Sequence, residues 1–108
     1  MLAKISFIAI LLLSLNVSAA SYEVEKANDI LIDCQFKAAY KYDDGISSAS
    51  DIAPILVESC LSEANQLYYA VTSTVNGPFD QIAVRQAIDD MTLQTAIKVI
   101  LLKRSNLK

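Results

Sequence analysis

With 108 residues, nine bases, twelve acids and no histidine, the chain is bounded to one domain and lacks the commonest general base and nitrogen metal ligand. A net charge of −3 disfavours contact with nucleic-acid phosphates. Only two glycines and two prolines interrupt it, which leaves few places where a regular element must stop.

Lys4 gives a positive start, Ile5 to Leu15 is almost wholly apolar, and Val17, Ser18, Ala19 and Ala20 make a small-residue exit. That order predicts a secretory signal peptide over residues 1–20, cleaved after Ala19 or Ala20. The apolar run is shorter than the roughly 20 residues a membrane span needs. The remainder, residues 21–108, is expected to form a single small helical domain, periplasmic or secreted. Cleavage removes Lys4 and makes the chain more acidic, while Lys98, Lys103, Arg104 and Lys108 concentrate positive charge at its end.

The first mature segment places Val24, Ala27, Leu31, Cys34, Ala38 and Tyr42 at steps of three or four, the period of one helical face. Charged residues from Glu25 to Lys41 form an outer stripe with acid-before-base pairs such as Asp33 with Lys37. Asp43-Asp44-Gly45 stops this helix, because glycine readily takes the left-handed conformation beyond a helix end. A second helix starts within Ser47 to Asp51, whose side chains can cap exposed amides. Its inward face runs through Ile52, Leu56, Cys60, Ala64, Leu67 and Val71. Pro54 is tolerated if Ser50 or Asp51 is the cap, since it then falls near amides without a helical acceptor.

Asn76-Gly77-Pro78 is the next break, and Phe79 with Val84 fits a hydrophobic clamp on a helix capped by Asp80. The third helix carries Val84, Ile88, Met91, Thr95, Val99 and Leu102 inward. Its last part, Ile97 to Leu102, is apolar on most sides and needs more than one covered face. Together the segments predict an all-α three-helix bundle with helices about 22–43, 51–72 and 80–103.

Cys34 and Cys60 lie 13 residues on either side of Ser47. Antiparallel helices joined there bring them face to face, and in an oxidising compartment two cysteines have one pairing. A disulfide between the first two helices is therefore expected.

The order Cys34, Asp43-Asp44-Gly45, Ile52-Ala53 and Cys60, followed by Thr95-Ala96-Ile97-Lys98-Val99-Ile100-Leu101, resembles a loose group of small exported bacterial proteins of uncharacterised function. The resemblance implies a bacterial origin and an all-helical fold. It supplies no activity and no functional residue.

Chemistry is scarce. Without histidine no Ser-His-Asp or Cys-His arrangement exists, and the cysteines are too far apart for a redox Cys-x-x-Cys pair or a structural zinc site. Asp43-Asp44 and Asp89-Asp90 are the paired carboxylates, but adjacent helical residues point about 100° apart and do not converge. No catalytic residue, cofactor or metal site is expected, and the chain reads as non-enzymatic.

Tyr40 and Tyr42, with Tyr68 and Tyr69, supply amphipathic rings suited to interfaces. Tyr42 and one of the later pair are expected in the core, and Tyr40 and the other outside. The expected mode of action is macromolecular binding, another protein being the partner and Asp43, Asp44, Asp51 and Tyr40 the contacts around the first turn. One form is an inhibitor or immunity protein for a secreted lytic enzyme. The alternatives are a stress chaperone or envelope factor opened by acid, and a membrane-active peptide using Ile97 to Lys108. A homodimer is a further arrangement open to the apolar third helix.

Overall fold

The computed structural model describes residues 18–75 and 77–106, with side chains from Tyr22 onward. The expected signal peptide lies almost wholly outside the described residues, as do Asn76 and the last two residues. Four helices follow one another: α1 (Ser18–Tyr42), α2 (Ala49–Ser59), α3 (Leu61–Thr72) and α4 (Gln81–Asn106). Among the described residues there is no strand, and none of the helices is long and apolar enough to cross a membrane.

The expected second helix is thus two. Ser48 caps α2, its hydroxyl accepting from the Asp51 amide at 3.2 Å. That cap lies earlier than Ser50 or Asp51, so Pro54 falls inside the helix, where it provides no amide for the carbonyl one turn back. At Cys60 the backbone leaves helical geometry, with φ −114° and ψ 29°. The ladder survives, because the Cys60 amide donates to the carbonyls of Leu56 and Val57 and the Cys60 carbonyl accepts from Ala64. The axis bends without a loop. At this bend Cys60 is bonded to Cys34 of α1, with Cα atoms 6.0 Å apart, so the covalent tie joins α1 to the α2–α3 junction.

Hydroxyls close α3. Thr72 donates to the Tyr68 carbonyl at 3.0 Å, Ser73 to Ala70 at 2.8 Å and Thr74 to Val71 at 2.7 Å, adding side-chain bonds where the helical ladder runs out. At the start of α4, Asp80 accepts from the Ala83 amide at 3.1 Å, and Phe79 and Val84 are both half-buried, as a clamped start requires.

Leu31, Leu56, Leu67, Cys60 and Ile100 are fully buried or nearly so, and form one core with Ile52, Ile88 and Val99. Tie points at Gln35–Thr92 and Asp43–Lys103 show that α1 and α4 run the same way, with α2 and α3 returning between them. The inward face of α4 is turned from the expected one. Ile88, Thr92, Ala96, Val99, Ile100 and Lys103 are buried, whereas Met91 and Leu102 are exposed. Tyr42 is also exposed rather than in the core, while Tyr68 packs against the core and Tyr69 is exposed. Because α4 contacts α1, α2 and α3, the row that touches these neighbours is selected over the most hydrophobic row.

Candidate functional site

The turn between α1 and α2 contains two of the four expected contact residues, Asp43 and Asp44, and assigns them different tasks, while Tyr40 lies in α1 and Asp51 in α2. Asp44 folds the turn. Its carboxylate accepts from the amides of Ile46 and Ser47 at 2.8 Å each and from the Ser47 hydroxyl at 2.7 Å, and these bonds, the hydroxyl's first, lower its pKa. Gly45 follows with φ +74°, a left-handed conformation that glycine accepts without a Cβ clash.

Asp43 points the other way. Its carboxylate accepts from Arg104 Nε at 3.0 Å and from the outer guanidinium nitrogen at 2.5 Å, from Lys103 Nζ at 3.1 Å, and from the Gly45 amide at 3.0 Å. The Arg104 hydrogen bonds, despite the opposing effect of burial, hold the carboxyl far below the usual carboxylate range. Arg104 also donates to the Ser47 carbonyl at 2.7 Å. This clasp fastens the turn to the end of α4, across 60 residues of sequence. The Asp43 side chain is fully shielded, so it is not part of an outward acidic surface.

Asp51 and Tyr40 are exposed. The Lys103 ammonium lies 5.7 Å from the centre of the Tyr40 ring, so Tyr40 lies over the clasp while its opposite side meets solvent. Outward acidity at this turn comes from Asp44 and Asp51 alone. The basic and apolar end of α4 is likewise largely spent: Val99, Ile100 and Lys103 are buried and Arg104 is clasped, leaving Lys98, Leu101 and Leu102 outward.

Near the disulfide, the two sulfurs and a Glu63 oxygen lie within 4.8 Å of one another. Each sulfur is bonded to the other, so this grouping offers a cation only one carboxylate in the oxidised chain.

A different surface has the features of a contact site. Between α3 and α4, Tyr68, Gln81, Ile82, Arg85 and Gln86 line a shallow open cleft of about 350 Å³. Arg85 lies over the Tyr68 ring at 4.9 Å. It is held there by a hydrogen bond to the side-chain oxygen of Asn65 and by Asp89 at 3.6 Å. Tyr69 stands edge-on to Tyr68, with ring centres 5.5 Å apart. Ile82 is 74% exposed and Tyr69 67%, values that leave most of each side chain for something else to cover. No carboxylate, thiol or hydroxyl pair converges in the cleft, and its lining suits a protruding side chain of a partner.

One ring of the Tyr68–Tyr69 pair was expected outside, with no signal for which, and Ile82 and Arg85 carried no motif. Their only signal was an isoleucine two residues beyond a helix cap and an arginine one turn further on, neither unusual until α3 is packed beside them. No protein-family model, curated protein or solved structure matches this chain, so the cleft's chemistry is the only guide to its use.

Proposed function

We propose that this chain is an exported, non-enzymatic binding module that covers a surface of another protein in the periplasm or outside the cell. An inhibitor or immunity protein for a secreted lytic enzyme is one form of such a module. The observation that carries the reading is the cluster of Tyr69, Tyr68, Arg85 and Ile82, three residue types of which two, tyrosine and arginine, dominate protein interfaces. Arg85 is fixed by Asn65 and Asp89 before any partner arrives, so little side-chain freedom is lost on contact. The bridge of Cys34 to Cys60 favours an oxidising compartment.

Support for an acid-opened chaperone is weaker, because Asp43, which ties the turn to α4, stays ionised at the mildly acid pH where such a switch acts. A membrane-active end is weakened by the burial of Val99 and Ile100 in the core. Capture from a periplasmic extract of the native host tests the proposal, using wild type, Tyr69→Ala with Ile82→Asp, and Asp44→Asn with Asp51→Asn. The partner held by wild type is expected to be lost from the first double variant, by at least tenfold, and retained by the second. Retention by the first and loss from the second would move the contact to the acidic turn; retention by both would remove the cleft from the account.

A further inference from the structure

Along the outward side of α4, Ala87, Asp90, Gln94, Lys98 and Leu101 follow at steps of three or four, and all five are exposed. Met91 and Leu102 border them and are 39% and 54% exposed. This stripe is separate from the cleft residues Ile82 and Arg85. It is lightly charged for a solvent face, since only Asp90 and Lys98 on it are ionic, and among the described residues neither has an ion-pair partner.

The stripe is complementary to its own reverse. Asp90 and Lys98 each lie four residues from Gln94, and Ala87 and Leu101 each lie seven from it. If two copies of α4 are laid antiparallel about a two-fold axis through Gln94, Asp90 of each faces Lys98 of the other. The small Ala87 then opposes the large Leu101, so a side chain fits over a gap on both sides of the axis. Two-fold contacts require this kind of self-complementarity, in which the same patch serves both copies. A parallel pairing would instead set Asp90 against Asp90 and Lys98 against Lys98. Antiparallel helices also bring opposite dipole ends together.

We infer that the outward face of α4 is a homodimer interface, with a second copy of this chain bound antiparallel and two Asp90–Lys98 ion pairs fixing the register. The acidic body of the protein repels its copy, and one helix from each side buries less than a standard interface, so the dimer is weak and salt-sensitive.

Sedimentation equilibrium of the oxidised mature protein at low salt, between about 10 µM and about 1 mM, covers the micromolar dissociation range. The weight-average mass is expected to rise toward twice the monomer. Asp90→Lys alone and Lys98→Asp alone each place like charges opposite each other, and each is expected to weaken dimerisation at least tenfold. Combined, they reverse both partners and restore it. Both positions of this comparison are solvent-exposed, and circular dichroism checks that the helices are kept. In a Gln94→Cys variant, oxidation is expected to give a covalent dimer through position 94, which meets its own copy at the axis. A wild type that stays monomeric throughout, or single variants that dimerise as well as wild type, would overturn the inference. So would a combined variant no better than the singles, whether the face is then covered by a different protein or by none.

Discussion

Asp43 shows why a polar residue in a turn need not face solvent. One carboxylate accepts four hydrogen bonds, three of them from the cations of Lys103 and Arg104, and removing it leaves both cations unmatched beside the core. Hydrogen bonds to charged groups contribute about 1.5 to 3 kcal/mol each in mutational series. Asp43→Ala is therefore expected to cost about 3 kcal/mol in urea denaturation, allowing for water that reaches Arg104. Asp33→Ala, which breaks the exposed Asp33–Lys37 pair at 3.0 Å, is expected to cost about 0.5 kcal/mol or less. Unfolding returns the Asp43 carboxyl to an ordinary pKa near 3.8 from a much lower folded value. Its contribution is therefore complete above that pH and is lost as pH falls further toward the folded-state pKa. The difference in stability between wild type and Asp43→Ala should stay constant from pH 7 to about pH 5 and shrink below about pH 4. The sequence named Asp43 as a turn residue but hid its partner, since Lys103 and Arg104 read as ordinary basic residues at a helix end. The buried Gln35 is silent to a hydrophobic pattern for the same reason: its Nε2 finds the Thr92 carbonyl, 3.2 Å away, from far along the chain, whereas the buried Thr92 hydroxyl donates locally to the Ile88 carbonyl at 2.6 Å.

Helices were legible wherever local chemistry sets a boundary. Ser48, Gly45 and Asp80 act through their own backbone neighbours, and the all-helical class followed from apolar period. The break at Cys60 was not legible, because no glycine or proline marks it. There the residue both ends α2 and starts α3 while bonded to α1, and this constraint is tertiary. The bridge closes a ring over a sequence separation of 26. Chain-entropy arguments give such a ring about 3.5 kcal/mol of stabilisation. Chemical denaturation of the oxidised and reduced protein measures it directly: reduction is expected to lower the free energy of unfolding by about that amount. Equal midpoints would mean that α1 and the α2–α3 junction stay together without the bond. The facing of α4 was misjudged by sequence because Met91 and Leu102 satisfy the period as well as Thr92 and Lys103 do, and the difference is made by the three helices that α4 must touch.

At the scale of the molecule, the bundle buries its reactive groups in structural roles. Both cysteines are paired, and Asp43 is matched by two cations. Outward lie Tyr69 and Ile82, with a partly exposed Arg85, on one side and the α4 stripe on another, the two surfaces proposed for a partner and for a second copy. Which separate segments share a surface is not visible in the sequence, because the pairing of α3 with α4 is tertiary. On the proposed function, the α3–α4 cleft meets a protein in the envelope. Photo-crosslinking in the native host tests it most directly, with a photoreactive amino acid replacing Ile82 and, as a control, Glu25 on the outer face of α1. One discrete adduct is expected from position 82, distinct in mass from a dimer of this chain, and none from position 25. No adduct from position 82, or the same adducts from both positions, would contradict it.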